Sequence, residues 1–407
     1  MKIPEQNNRR TLLLLKNQET RRFWKSGAGS CHIIFLFLIL ALINGCITEF
    51  IPAVTEQKQL LVVEGLITDQ PGADTVKLSL SMPLGKKSQV IPLSGCLVNI
   101  SDDHGINYHL TERSIGKYIT DSATFIGVVG RSYTLHITTT KNNAPANYES
   151  YPSELKPVPP IDSLYYEKII VSEKTQNDPE IDACQIYLDT HDPENKCKFF
   201  RWDFSETWLL RLLWPVDNMT CWITENSNTI NIKNTGGLSQ TIIDRYPINY
   251  ISNETDRLKR EYSINVNQYS LNEDEFNFWE KLQSLTQQVG GLYDIIPSTI
   301  PSNLTRIEDP NETVLGYFSV SSISSKRIFI KDNFSGIIDM YAHCIGDTVP
   351  TDNPADIPSL NITEWALLVQ HASFGVAPMT IITYDHGCAD CTVRGSNIRP
   401  SFWVDEK

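Results

Sequence analysis

The sequence predicts a mainly β protein: an N-terminal immunoglobulin-like β-sandwich, followed by a larger β-rich domain with one inserted helix. Three observations predict it. Apolar and polar residues alternate from Leu60 to about Tyr148, prolines interrupt the chain at Pro157–Pro160, and one segment after Asn272 has helical spacing. We therefore assign residues 59–155 to the sandwich and residues 161–405 to the second domain.

The alternation in the first domain has a period of two. Segments 76–80 and 133–137 both place apolar residues at every second position, which indicates strands with one buried face. Turn residues separate such strands, as in the segment Asp102-Asp103-His104-Gly105. These side chains are also of types that ligate cations, but a turn needs Asp and Gly for conformational reasons alone, and we favour the turn.

The prolines mark a boundary because proline has no N–H and biases its predecessor toward extended conformations. Beyond it we predict a second set of strands, at residues 161–171, 199–204, 229–232, 262–266, 316–320 and 327–330. The helix is predicted from Asn272 as its cap, with Glu275 in the reciprocal capping position and Gly290-Gly291 as its stop. We expect its apolar stripe to pack on a sheet.

The N-terminus has the pattern of an export signal. Basic residues between Lys16 and Lys25 precede an apolar core of 11 residues, Ile33–Ile43. That core is too short to span a bilayer, which takes about 20 apolar residues. The segment therefore indicates a cleaved signal, with a signal anchor and an ordinary secretory signal as alternatives.

The end of this signal, Ile43-Asn44-Gly45-Cys46, is similar to a lipobox, whose cysteine is acylated with fatty chains such as palmitate. We predict residues 1–45 to be a lipoprotein signal peptide, Cys46 the lipidation site and residues 46–58 a tether. Several acyl chains, each buried CH₂ contributing about 0.8 kcal/mol, give a nearly permanent membrane attachment.

Removal of the signal makes the chain strongly acidic. Residues 1–45 carry seven Lys/Arg and two Asp/Glu, so the net charge changes from −13 to −18. A protein of this charge repels phosphate backbones, and we expect no nucleic-acid partner. The remaining residues suffice for two soluble domains.

Several short stretches, in order along the chain, carry a family resemblance. They are Leu61–Asp69 (LVVEGLITD), Pro159–Tyr165 (PPIDSLY), Tyr262–Gln268 (YSINVNQ), Phe278–Trp279, Gly290–Asp294 (GGLYD), Val314–Ser319 (VLGYFS), Arg327–Ile330 (RIFI), Cys388–Thr392 (CADCT) and Arg399–Trp403 (RPSFW). Together they resemble the domain-of-unknown-function 4249 family of Bacteroidota envelope lipoproteins.

The resemblance implies an envelope lipoprotein often associated with TonB-dependent outer-membrane receptors, and hence with the capture or uptake of a nutrient. The family defines no activity and no catalytic residues. An acidic cluster directly after the lipidated cysteine would indicate surface export, but Cys46-Ile-Thr-Glu49 contains a single acidic residue. The sequence therefore leaves open whether the protein faces the periplasm or the cell surface.

Seven cysteines remain after Cys31 is removed and Cys46 is acylated: Cys96, Cys184, Cys197, Cys221, Cys344, Cys388 and Cys391. In an oxidising compartment some should pair, and the odd number leaves at least one free. Cys388-x-x-Cys391, with His386 and His343-Cys344, has the ligand types of a zinc site. We favour a disulfide from Cys344 to Cys388 or Cys391, and expect no metal and no cofactor.

Aromatic residues are concentrated in one stretch: Phe199, Phe200, Trp202, Phe204, Trp208, Trp214 and Trp222. Rings with an apolar face and a polar edge suit sugar or peptide binding, so Trp202, Trp208, Trp214 and Trp222 form a candidate ligand platform. The alternation of Phe200, Trp202 and Phe204 equally suits a buried strand, which we favour.

No phosphate loop, metalloprotease motif or serine nucleophile elbow is present. Asp203 and Glu206 are interpreted as a solvated pair rather than a general acid and base. The sequence therefore predicts a non-enzymatic, outer-membrane-anchored binding or accessory module beside a receptor barrel. A structural or adhesive envelope protein, and a hydrolase with an unrecognised site, are the alternatives.

Overall fold

The structure is a computed structural model that describes residues 59–81, 91–141, 144–173, 180–213, 218–287, 300–338, 344, 347–349, 365–370, 379–383 and 386–403. The predicted signal peptide, Cys46 and the tether lie outside the described residues, as do Trp214 and Gly290-Gly291. Residues 58–407 form one compact unit. Within the described part of the chain, no helix combines the length and the apolar character needed to cross a membrane.

The alternating segments of residues 59–155 are strands, as predicted. They are β1 (Leu61–Ile67), β2 (Thr75–Leu80), β3 (Ile91–Pro92), β4 (Leu97–Asp102), β5 (Asn107–Ser114), β6 (Lys117–Ile119), β7 (Ser132–Lys141), β8 (Ala144–Ser150) and β9 (Ser153–Glu154). In β1, residues 61, 63, 65 and 67 are buried and the residues between them are more exposed, as a period of two requires.

The rest of the chain is also mostly strand. Its elements are β10 (Ile161–Ser172), β11 (Ile181–Asp192), β12 (Phe199–Arg211), β13 (Thr220–Asn226), β14 (Asn231–Asn234), β15 (Thr241–Ile251), β16 (Tyr262–Leu271), helix α1 (Glu273–Gln287), β17 (Leu304–Arg306), β18 (Leu315–Val320), β19 (Ile323–Ile330), β20 (Asp347–Val349), β21 (Trp365–Gln370) and β22 (Met379–Thr383). The predicted mainly β class is therefore confirmed.

Strands β1–β9 do not form a self-contained sheet. They join β17 and β18 in an 11-stranded sheet ordered β17-β8-β7-β4-β5-β6-β2-β1-β18, with β3 beside β2 and β9 beside β7. β1 pairs antiparallel with β2 and parallel with β18. The segment that contains β17 and β18, which the sequence analysis assigned to the second domain, thus completes the first, because a parallel pairing needs a strand that returns from far along the chain.

The buried apolar residues of this 11-stranded sheet form a first core. A second core lies between two further sheets. One has three strands, β10-β11-β15, and the other has five, β13-β12-β16-β19 with β14 beside β12. Their buried apolar residues form one cluster that extends from Ile161 to Cys391. Strands β20, β22 and β21 form a small separate sheet.

Helix α1 begins as predicted. The Asn272 side chain accepts a hydrogen bond from the Glu275 N–H at 2.8 Å, which satisfies one of the free donors of the first turn. Phe276 packs with Tyr269 and Leu271 of β16 in a small third core, and Trp279 of the predicted apolar stripe packs partly buried against them, so this side of the helix lies on a sheet. The reciprocal half of the capping box is not formed, because the Glu275 side chain is fully buried and accepts a hydrogen bond from the Trp279 indole N–H at 3.3 Å.

Candidate functional site

The cysteines of the C-terminal segment all form disulfides. Cys344 pairs with Cys388, one of the two partners considered from the sequence, whereas Cys391 pairs with Cys221 at the start of β13. The two bonds join residues 44 and 170 positions apart. The two cysteines of the Cys-x-x-Cys motif thus bind the C-terminal segment to two different parts of the second core.

These bonds determine the chemistry of the motif. Sulfurs bonded to each other are not thiolates, so Cys344, Cys388 and Cys391 do not provide the ligands of a zinc site. Among the described residues no group of three His, Cys, Asp or Glu is arranged to hold a metal ion. The thiols of Cys184 and Cys197 are buried, and burial raises the pKa of each to about 12, which makes them poor nucleophiles.

The proposed tryptophan platform is wrong for two of its members. Trp202 and Trp208 are buried in the second core, with exposed fractions of 0% and 3%. The Trp202 indole N–H donates to the Gln268 side chain at 2.9 Å, and its ring packs on Tyr246 with centroids 4.4 Å apart. Because side chains alternate between the two faces of a strand, the even-numbered aromatics of β12 all point into the core.

Trp222 is half-buried beside the C-terminal segment. Its backbone exchanges two hydrogen bonds with Ser396, and its ring meets the Trp403 ring edge-on at a centroid distance of 6.4 Å. The fourth member, Trp214, lies outside the described residues. Trp222 therefore helps to hold the chain end on the edge of β13 and does not form a platform with the other tryptophans that the structure describes.

The acidic turn after β4 is structural, as favoured from the sequence. Asp102 accepts hydrogen bonds from the N–H groups of His104 and Ile106, at 3.0 and 2.9 Å, and forms an ion pair with Arg131 at 2.7 Å. Burial opposes ionisation of this carboxyl, but the two backbone donors and the guanidinium outweigh it and lower its pKa.

Asp203 and Glu206 are not a solvated pair. Three positions apart on β12, they point to opposite faces of the sheet. Glu206 is buried and accepts a hydrogen bond from the Tyr262 hydroxyl at 2.7 Å, while Asp203 accepts one from Asn267 at 2.9 Å. The separation of the two carboxyls excludes them as partners in acid–base catalysis.

Several residues of the family-like stretches have packing roles. Gly65 leaves room for the Phe318 ring, since a Cβ at Gly65 would lie 2.8 Å from it. Gly316 has a positive φ of +84°, and a Cβ there would lie 2.0 Å from the Val63 carbonyl oxygen. These glycines make possible the close parallel pairing of β1 with β18.

Gln268, at the end of another such stretch, fixes the proline-rich connection. Its fully buried amide donates to the Pro159 carbonyl at 2.8 Å and to the Thr190 hydroxyl at 3.1 Å, while its oxygen accepts from Trp202. All the polar atoms of this side chain are used, so the connection between the two cores is held in one position.

A cleft lies where α1 meets the first sheet, with a volume of about 320 Å³. Its lining residues are Tyr151, Pro152, Ser153, Asn272, Asp274, Asn277, Phe278, Lys281, Ile300, Pro301, Ser302, Asn303 and Tyr317. The floor is apolar, with the rings of Phe278 and Tyr317 at a centroid distance of 4.8 Å. One side is framed by the hydrogen bond from the Asn272 amide to the Ser153 hydroxyl, at 2.8 Å.

The helix presents one face to this cleft. Asp274, Asn277, Phe278 and Lys281 have the spacing i, i+3, i+4 and i+7, which places them along a single stripe. The polar side chains of the stripe form no hydrogen bond or ion pair with another described residue. This stripe could not be recognised from the sequence, where only the cap and the apolar residues of the helix carry a pattern.

Glu275 lies outside this stripe, about 100° around the helix axis from Asp274. Its side chain is fully buried, and one carboxylate oxygen has no hydrogen-bond partner among the described residues. Burial raises its pKa to about 7, against weaker opposing effects of Ser319, the Arg201 charge and Trp279. This carboxyl faces the third core and is not accessible to a ligand in the cleft.

Comparison with known proteins gives a family but no activity. A family model described as a domain of unknown function (DUF4249) matches residues 47–327, which is more than half of the chain. No curated protein matches. The matched region includes strands β1–β18, and with them the glycine contacts and the Gln268 network, as well as helix α1 and its cleft residues. The chain belongs to the domain-of-unknown-function 4249 family.

Proposed function

We propose that the protein is an outer-membrane lipoprotein, tethered through acylated Cys46, whose β-rich part is a binding or accessory module beside a TonB-dependent receptor in nutrient uptake. The signal-like N-terminus and the lipobox-like ending at Cys46 support the tether. Two disulfides, stable in an oxidising compartment, agree with export.

The observation that carries the binding role is the cleft along α1. Its floor is apolar, and Asp274, Asn277 and Lys281 are free for a ligand as far as the described residues extend. A site with an apolar surface and a few convergent polar groups is the usual form of a small-molecule binding site.

The lining of the cleft favours binding over hydrolysis. The described residues that line it include one carboxylate, Asp274, and no histidine or cysteine. The usual mechanism of glycoside hydrolysis needs a second carboxyl beside the substrate. The shifted carboxyls described above, Asp102 and Glu275, are both buried in structural contacts, and neither lines the cleft.

The tether is tested by metabolic labelling of the full chain with radioactive palmitate. We expect label on the parent protein, none on Cys46→Ser, and release of that variant from the membrane fraction. Cys31→Ser, within the predicted signal peptide, is the matched control and should label like the parent. An unlabelled parent that fractionates like the Cys46→Ser variant would overturn the proposal.

The accessory role is tested by gentle solubilisation of the envelope and affinity purification of the tagged protein. We expect a large outer-membrane β-barrel to co-purify. Isolation without a barrel would favour the structural or adhesive alternative. Turnover of peptides or glycans by the purified protein would favour the hydrolase.

A further inference from the structure

The polar side chains along the cleft carry opposite charges at its two ends. Asp274 lies in the first turn of α1 and Lys281 two turns later, with Asn277 between them. Each residue of a helix advances the chain by 1.5 Å, so the two charged positions are about 10 Å apart along the helix axis. The stripe thus presents an anion, an amide and a cation in line.

The other described residues of the lining carry no charge. They include the exposed ring of Tyr151 with Pro152, Ile300 and Pro301. Rings and prolines provide rigid apolar contact area and lose little conformational entropy when a ligand binds. A ligand that fits this cleft is therefore about 10 Å long, oppositely charged at its ends, and apolar or amide-like between them.

We propose that the cleft binds a short peptide of about three residues with free termini, an inference that rests on the proposed function of the protein as a binding module. An extended chain advances about 3.3 Å per residue, so three residues match the distance between the two charges. The ammonium group lies at Asp274, the carboxylate at Lys281, and Asn277 bonds a central peptide group. A neutral sugar has no charges to match these ends.

The test uses the full-length, detergent-solubilised protein and trialanine in isothermal titration calorimetry. We expect saturable binding to the parent protein. N-acetylation should weaken it about tenfold by removing the ammonium group, and C-terminal amidation should weaken it similarly. Maltotriose, a neutral trisaccharide, serves as the competing probe.

Two variants test which terminus of the peptide lies at which charged residue of the cleft. Asp274→Asn should bind trialanine about tenfold more weakly and no longer distinguish it from the N-acetylated form, and Lys281→Gln should lose the preference for a free carboxylate. Glu273→Gln is the matched control, because it removes a neighbouring exposed charge that does not line the cleft. Unfolding curves that superimpose on the parent's show that the variants fold.

Absence of trialanine binding at millimolar concentration overturns the inference, as does binding that is unaffected by both blocked termini. Maltotriose binding that is lost in a Tyr151→Ala variant would assign the cleft to sugars, which overturns the peptide inference and leaves the binding module intact. Palmitate labelling and barrel co-purification are independent readouts, so failure of the proposed function is recognised separately.

Discussion

Asn303 bonds the backbone of Phe318 through both ends of its side-chain amide. The amide nitrogen donates to the Phe318 carbonyl at 2.8 Å, and the amide oxygen accepts from the Phe318 N–H at 2.9 Å. Phe318 belongs to β18, one end of the 11-stranded sheet, and Asn303 directly precedes β17, the other end. One buried side chain thus provides hydrogen-bond partners for the backbone of an edge strand and connects the two ends of the sheet.

Asn303→Ala should lower the free energy of unfolding by about 2–4 kcal/mol, because it leaves a buried N–H and a buried C=O without partners. Denaturation in urea, followed by tryptophan fluorescence, measures the change. The control is Asn311→Ala at an exposed position, with an expected change below about 0.5 kcal/mol. Equal effects of the two variants would contradict the role of Asn303.

Gly316→Ala should destabilise the fold by about 3 kcal/mol or more, since it adds a Cβ into the Val63 carbonyl at a backbone φ of +84°. Gly237→Ala is the matched control, because a Cβ there meets no atom within 4 Å. Thermal unfolding of both variants gives the comparison. A Gly316→Ala protein as stable as the parent would show that β1 and β18 are not paired as described.

Glu275 should make stability depend on pH. Its folded pKa of about 7 lies above the ordinary value of 4.5, so the unfolded chain ionises first as pH rises and native stability falls between these values. The difference corresponds to about 3 kcal/mol. Glu275→Gln, which cannot ionise, should match the parent near pH 4 and be more stable by up to about 3 kcal/mol at pH 8.

Urea denaturation across this pH range tests the Glu275 prediction. Glu273→Gln, an exposed neighbour, should show no comparable gain at pH 8. A constant difference between Glu275→Gln and the parent at every pH would show that the carboxyl does not titrate in the folded state within this range.

The disulfide that closes the longer segment should contribute somewhat more to stability, because loop-closure entropy grows with the logarithm of loop length. Loop-closure entropy predicts a loss of about 5 kcal/mol for the double variant Cys221→Ser/Cys391→Ser and about 4 kcal/mol for Cys344→Ser/Cys388→Ser. Unfolding of the two double variants measures the losses. Peptide mapping under non-reducing conditions checks the pairing, and a Cys344–Cys391 peptide would contradict it.

Much of the fold could be predicted because the spacing of apolar residues along a strand or helix follows from which of its faces is buried. The alternation in β1, β2 and β7 gave their positions, and Asn272 gave the start of α1. The strands β11, β13 and β15 were not predicted. Residues 316–320, predicted as a strand of the second domain, pair instead with β1. Pairing partners far apart in the chain leave no signal in the spacing of the residues around them.

The candidate site was less predictable for the same reason. The tryptophans were conspicuous in the sequence, but the face of β12 that carries Trp202 and Trp208 packs into the second core, where both are buried. The cleft combines residues of a loop after β8, a helix and the segment before β17. No local pattern relates Tyr151 to Lys281.

The sequence by itself determined the mainly β class, the helix and its cap, the structural turn at Asp102 and the family, because each depends on residues close together in the chain or on an ordered series of short stretches. The tertiary structure alone decided that β18 returns to β1, that Cys391 pairs with Cys221, and that one stripe of α1 faces an open cleft. These contacts join distant residues, and their free energy depends on the packing of the whole chain rather than on local spacing.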